Sequence, residues 1–160
     1  MSLEIYQKKR KFDLPAGKAG KTPEPKGVVK KSKGKELIFV IHEHHATRLH
    51  YDLRLEFGGV LASWAVPKEP PKTPGIKRLA MKVEDHPLDY ADFEGVIPKG
   101  NYGAGEVKIW DKGHFELLPG SAKNPEKGNL EFILKGDKLK GKYILIHTDG
   151  KRWLFFKGKE

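Results

Sequence analysis

The feature that most constrains the fold of this chain is the strict alternation across residues 49–56. Leu49, Tyr51, Leu53 and Leu55 fall on one side of an extended strand, and His50, Asp52, Arg54 and Glu56 on the other, because strand side chains alternate with a period of two. One face is committed to a core. The other keeps two ionisable groups and an arginine side by side. Gly58-Gly59 then supplies a tight turn into residues 60–66, which predicts a hairpin. Further short apolar runs occupy residues 36–42, 78–83, 106–110, 114–118, 130–134, 142–148 and 152–156, punctuated by Gly and Pro.

No long stretch carries helical periodicity, and no internal repeat is present. Many short strands in 160 residues predict an all-β domain, either an antiparallel barrel or a sandwich. A compact antiparallel β-barrel is the first expectation, since it offers an enclosed face for the row from His50 to Glu56. In residues 78–84 the same parity places Arg78, Ala80, Lys82 and Glu84 together, opposite Leu79, Met81 and Val83.

Charge divides the chain in two. Net charge is +10, and residues 1–35 carry eleven Lys or Arg against Glu4, Asp13 and Glu24. This basic segment has few large apolar side chains with which to offset its ordering entropy. It is expected to be flexible, leaving residues 36–160 as the folded domain. The excess charge favours an anionic partner, of which nucleic acid is the commonest. Gly17-Lys18-Ala19-Gly20-Lys21-Thr22 ends like a phosphate-binding loop, but Pro15 stands where the first glycine belongs and no apolar strand precedes it. No ATP site is expected on that ground. The chain has no cysteine, which rules out disulfides, thiolate ligands and a cysteine nucleophile. With no apolar run of membrane-spanning length and no signal-like N-terminus, a cytoplasmic protein without membrane association is expected.

The chemistry concentrates in one place. His42, His44, His45 and His50, four of seven histidines, lie within nine residues, and Asp52 follows. His50 and Asp52 share a strand face at a Cα spacing of roughly 6.5 Å, so both can reach one ion. His44 joins them if Ala46-Thr47-Arg48 bends the chain back. Two imidazoles and a carboxylate leave positions open for water and a substrate oxygen. Such ligands suit manganese, iron or zinc. His50-Tyr51-Asp52 is also half of the two-histidine, one-carboxylate set of iron oxygenases, which would take a distal ligand such as His114 or His147. Arg54, Lys68, Arg78 and His86 form a candidate anion clamp, since phosphoryl chemistry needs positive groups on its non-bridging oxygens. His86 can act as a general acid or donate to phosphate. The Glu84 and Asp85 carboxylates can hold it protonated or bind Lys and Arg elsewhere.

Several long motifs strongly resemble one family. They are His44-His45-Ala46-Thr47-Arg48-Leu49-His50-Tyr51-Asp52-Leu53-Arg54-Leu55-Glu56, Ser63-Trp64-Ala65-Val66-Pro67-Lys68, Val83-Glu84-Asp85-His86-Pro87-Leu88-Asp89-Tyr90, Phe93-Glu94-Gly95-Val96-Ile97-Pro98 and Tyr102-Gly103-Ala104-Gly105. In this order they resemble the 3'-phosphoesterase domain of bacterial and archaeal ATP-dependent DNA ligase D, across residues 36–157. The resemblance implies a β-barrel that heals DNA 3' ends with manganese: a 3'-terminal ribonucleotide is cut back to a 3'-phosphate and then to a 3'-hydroxyl. It implies His44, His50 and Asp52 as metal ligands, and Arg54, Lys68, Arg78 and His86 as the phosphate-contacting and catalytic group. His42, Ser63, Glu84 and Tyr90 fall at supporting positions, His42 where the family often has Gln.

Tyr6-Gln7-Lys8-Lys9-Arg10 and Thr22-Pro23-Glu24-Pro25 resemble the family's opening segment, with Arg10 and Glu24 as its functional pair. Lys11 stands where an acidic residue is usual, and extra residues separate Arg10 from Glu24. That departure bears on ribonucleotide removal rather than on phosphate removal. The expected partners are primer–template 3' ends and a separate DNA ligase and polymerase. Two rivals remain: an iron and 2-oxoglutarate oxygenase, and a barrel that binds DNA without cutting it.

Overall fold

In a computed structural model, the structure describes residues 36–101 and 104–159. The basic segment 1–35, with Arg10 and Glu24, lies outside the described residues. Nine strands follow in order: β1 (Leu37–His45), β2 (Leu49–Phe57), β3 (Val60–Val66), β4 (Lys77–Pro87), β5 (Gly95–Ile97), β6 (Gly105–Leu117), β7 (Leu130–Gly136), β8 (Lys140–Asp149) and β9 (Arg152–Lys157). Short 3-10 turns occupy Leu88–Asp92 and Pro125–Lys127. None of the described helices is long and apolar enough to cross a membrane.

All pairings are antiparallel, in the order β1-β2-β3-β4-β9-β8-β7-β6, and β6 returns to β1 to close an eight-stranded barrel. β5 is an addition, paired only with the start of β6. The β2–β3 hairpin forms as predicted. Phe57 pairs with Val60, and Gly58 and Gly59 both take positive φ, 60° and 85°, as a two-residue turn twisted to match its strands requires.

The apolar rows fill the barrel. Phe39 and Ile41, Leu53 and Leu55, Trp64 and Val66, Phe132 and Leu134, Tyr143 and Leu145, and Trp153 and Phe155 form one buried cluster. Burying each such side chain contributes about 1.5–3 kcal/mol. Leu49, at the end of its row, is exposed.

The polar row is therefore on the outside of the barrel, opposite the face that the sequence commits to the core. It is nevertheless enclosed. The segment after β4 crosses the outer face of β1–β3, and Tyr90, Ala91 and Ile97 pack on Val40, Leu61 and Val107 as a second buried cluster. Glu94 fixes this strap by accepting from the Ile109 N–H (2.8 Å), and Asp92 pairs with Lys112.

Two bulges set the local geometry. In β6, Asp111 pairs with Ile41 and Ile109 with His42, so Trp110 is the extra residue. In β4, Ser63 faces Val83 and Leu61 faces His86, which places one extra residue at 84–85. Before that bulge Ala80 is fully buried in the barrel core, while Leu79 is 42% exposed on the outside. The side of β4 bearing Leu79, Met81 and Val83 is the outer one. After the bulge the parity inverts, and His86 faces outward beside Leu61.

Candidate metal and phosphate site

Cross-strand pairing assembles the site. His44 pairs with His50 and His42 with Asp52, between β1 and β2, and paired residues project on one face. His44 Nδ1 lies 3.4 Å from Asp52 Oδ2, and His50 Nε2 lies 3.3 Å from Asp52 Oδ1. One ligand atom from each of the three falls within 4.8 Å of the others. Ligands at about 2.1 Å from a shared ion stand roughly 3.0–3.4 Å apart in octahedral or tetrahedral arrangement, so these separations fit a cation. His50 Nδ1 lies 3.2 Å from the Arg48 carbonyl oxygen. Donating there leaves Nε2 as the ligand atom, the usual orientation of a metal-binding imidazole. Among the described residues this is the cluster of three or more metal-ligating side chains; His114 and His147 are not part of it.

Arg54 organises what lies next to it. It is 3% exposed. Its Nε donates to His42 Nδ1 (3.0 Å), one terminal nitrogen donates to Ser63 Oγ (2.9 Å) and lies 3.0 Å from His86 Nδ1, and the other donates to Asp52 Oδ2 (3.3 Å). The guanidinium also lies 4.9 Å from the centre of the Tyr90 ring, and Tyr90 stacks on Phe93 (4.8 Å). Ser63 Oγ in turn donates to the Leu61 carbonyl.

A guanidinium has no acceptor, so His42 meets it as a neutral ring with Nδ1 unprotonated, while His86 Nδ1 stands between the Arg54 terminal nitrogen and the Glu84 carbonyl oxygen, accepting from the first in one tautomer and donating to the second in the other. His42 passes its Nε2 proton to the Phe93 carbonyl, 3.1 Å away. Burial, and next the Arg54 charge, push His42 down to about 3 and His86 down to about 2. Burial acts to raise the Asp52 pKa, but the Arg54 charge and hydrogen bonds from His44 and His50 outweigh it and hold the carboxyl well below the usual range. The Asp52 hydrogen bond raises His50.

The remaining candidates separate. Glu56, the last of the row, accepts from the Ile38 N–H at the start of β1 (2.9 Å). Asp85 goes to Lys82 (3.4 Å), so of the two uses foreseen for that carboxylate it serves a lysine. Glu84 meets His86 Nδ1 through its carbonyl oxygen (3.1 Å). Lys68 is exposed, and Arg78 donates to the Glu69 carbonyl (2.8 Å); neither lines the cleft above the metal cluster.

That cleft, about 270 Å³, is lined by His44, His50, Asp52, Arg54, His86 and Tyr90 and by the apolar Ala46, Ala65, Val83 and Ile97. The sequence reading gave no role to these four apolar residues or to the Phe93 carbonyl. Small and apolar groups carry no chemical signature, and only the Asp52–Ala65 and Ser63–Val83 pairings reveal the position of two of them.

The site thus pairs a candidate cation position with a buried, preorganised cationic group, suited to a tetrahedral dianion. Comparisons with known proteins give the family. The family model described as "DNA Ligase D 3'-phosphoesterase domain" matches residues 42–147. The multifunctional non-homologous end joining protein LigD of Pseudomonas aeruginosa is 48% identical over 163 residues, covering 99% of this chain and 19% of that protein. The protein of the same name from Mycolicibacterium smegmatis is 50% identical over 148 residues, covering 89% of this chain and 19% of its own length. The multifunctional non-homologous end joining DNA repair protein LigD of Mycobacterium tuberculosis is 51% identical over 136 residues, 85% of this chain and 18% of its own. The chain spans about a fifth of the length of these relatives. By the family match and its extent, the chain belongs to the DNA ligase D 3'-phosphoesterase domain family.

Proposed function

We propose that this chain is a manganese-dependent phosphoesterase that heals DNA 3' ends, releasing a 3'-phosphate and trimming a 3'-terminal ribonucleotide. The observation that carries this reading is the direct contact of Arg54 with Asp52, which places a buried guanidinium against the three-ligand cluster. A bound divalent cation supplies Lewis acidity toward a phosphoryl oxygen. His44, His50 and Asp52 hold it. Arg54 is fixed by four partners and faces the growing negative charge without having to reorganise, the condition under which a buried donor is most effective. His86 donates a hydrogen bond to a phosphate oxygen; a bound dianion offsets the Arg54 charge that holds the ring neutral, and the imidazolium so formed is the general acid.

His42 and Ser63 hold Arg54, and Tyr90 supports it from beneath. Lys68 and Arg78 join the phosphate from the rim, with Glu84 supporting. Arg10 and Glu24 serve the ribonucleotide step. The substrate is a primer–template 3' end, and ligase and polymerase activities supplied outside these residues act on the healed product. The reading is supported by the relatives being end-joining proteins by name.

The test is product analysis of a labelled duplex ending in a 3'-phosphate or a 3'-ribonucleotide, incubated with protein and manganese. The expected products end in 3'-hydroxyl. His50→Ala and Asp52→Ala should remain folded and release nothing. Full activity in either would remove the metal from the mechanism. Duplex binding without any cleavage would instead favour a non-catalytic DNA-binding barrel.

A further inference from the structure

The cleft is larger than a phosphate needs. Its volume of about 270 Å³ equals roughly nine waters at about 30 Å³ each, more than a single phosphate group fills. Its apolar lining is Ala65 and Val83 on β3 and β4, Ala46 after β1 and Ile97 on β5. Ala65 is paired with Asp52 on one flank and with Met81 on the other, so its methyl group lies beside the carboxylate of the metal cluster. The apolar surface does not stop there. By strand alternation Val83, Met81 and Leu79 succeed one another along the outer side of β4, from the cleft to a position where Leu79 is 42% exposed. These three apolar side chains, continued by Leu154 beside Leu79, form a row on the outer side of the barrel that an apolar contact would cover favourably.

We propose that Ala65, Val83 and Met81 form the surface on which the sugar of the terminal nucleotide rests, and that the small size of Ala65 sets how deeply a 3' end enters. This rests on the phosphoesterase reading above. A furanose ring presents its carbon edge to such a surface while its 3' oxygen points toward the Arg54 and Asp52 end of the cleft. With the ring seated, the volume is filled, so the base stays at the mouth, over Met81. Selection is then for a phosphate carried on a sugar, with little dependence on which base follows. Neither the metal cluster nor Arg54 can provide that preference, since both engage the phosphate alone.

The experiment compares two probes in the presence of manganese: a duplex with a 3'-phosphate, by kcat/KM, and inorganic phosphate, by its affinity as a competitive inhibitor. Ala65→Val adds two methyl groups where the sugar would sit, and valine suits a strand. One or two methyl groups misplaced against a ligand change discrimination by about tenfold or more, so the ratio of DNA turnover to phosphate affinity should fall about tenfold. Met81→Ala, at a half-buried outer position, should lower the ratio less and in the same direction, through KM. A ratio that stays constant in both variants, whether both quantities fall together or neither moves, overturns the proposal. Absence of phosphate release by the unsubstituted protein would instead overturn the phosphoesterase reading, and is read separately.

Discussion

Acid should unfold this barrel through two buried histidines, in a pH window that belongs to them alone. His42 and His86 are 0% and 6% exposed and are held at about 3 and about 2, against an ordinary 6.5. A folded-state value below the unfolded one means that the unfolded chain takes up a proton the native state refuses. Stability is then complete above pH 6.5 and is lost as pH falls toward the folded values. Each unit of pH costs about 1.4 kcal/mol per group. Between pH 6.5 and 5 that is about 2 kcal/mol for each histidine and about 4 kcal/mol together, a large part of the roughly 5–15 kcal/mol that holds a typical domain folded.

Other shifted groups in this cluster do not confuse the window. His50 is raised, so its contribution is already complete below 6.5 and is lost only as pH rises. Asp52 is lowered from 3.8 and acts only at more acid pH. The assay is urea unfolding followed by tryptophan fluorescence, with chelator present so that metal binding adds no linkage. His42→Gln is the internal control. A glutamine amide can accept from Arg54 and donate to the Phe93 carbonyl, as the imidazole does, yet does not titrate. It should halve the pH slope. A stability at pH 5 within about 1 kcal/mol of that at pH 6.5, or a His42→Gln slope equal to the original, would refute the assignment of neutral rings around Arg54.

Arg78→Ala and Lys68→Ala, both outside the cluster of ligands, should titrate with manganese as the original protein does in calorimetry while losing on the order of 100-fold in rate; loss of metal binding would place them among the ligands. Deleting residues 1–35, which carry most of the +10 charge, should flatten the salt dependence of duplex binding by roughly 0.9 log units per phosphate contact removed, measured by fluorescence anisotropy, and an unchanged slope would reduce the segment to a linker. Arg10→Ala and Glu24→Ala should leave that slope nearly intact and slow ribonucleotide removal. Gly105→Ala should destabilise the domain and lower manganese affinity together, because a Cβ there would come within 2.2 Å of the His45 carbonyl oxygen at a φ of 126°, next to the candidate ligand His44; a thermal melt and a metal titration matching the original would refute it.

The sequence made the β2 row legible because the alternation of Leu53 and Leu55 with Asp52 and Arg54 is uninterrupted. Pairing two of its members with His44 needed only the antiparallel return of β1. What alternation cannot say is which of two faces a closed sheet turns inward. The bulky row won because Phe39, Trp64, Phe132 and Phe155 supply enough apolar volume to fill an eight-stranded barrel, which leaves the polar row no room inside. Residues 106–118 read as two runs because Gly113 resembles a turn. They form one strand, and the glycine is there for close approach: a Cβ at Gly113 would meet the Lys135 carbonyl oxygen at 2.1 Å. The strap was equally hidden, since Tyr90 and Ile97 become a lid over the row only once Glu94 and Asp92 are tied to β6.

The extra residue in β4 works like a shift of phase in a repeating signal. Up to Val83 the strand writes its core contacts on even positions and its outer contacts on odd ones; at His86 an even position faces outward. One strand therefore serves the barrel with Ala80 and the site with His86, two tasks that an unbroken rhythm would have forced into conflict. Paired straight through at the same length, the strand would set Asp85 beside Leu61 and turn His86 inward opposite Val60. The bulge thus decides on which side of the wall the His86 imidazole stands.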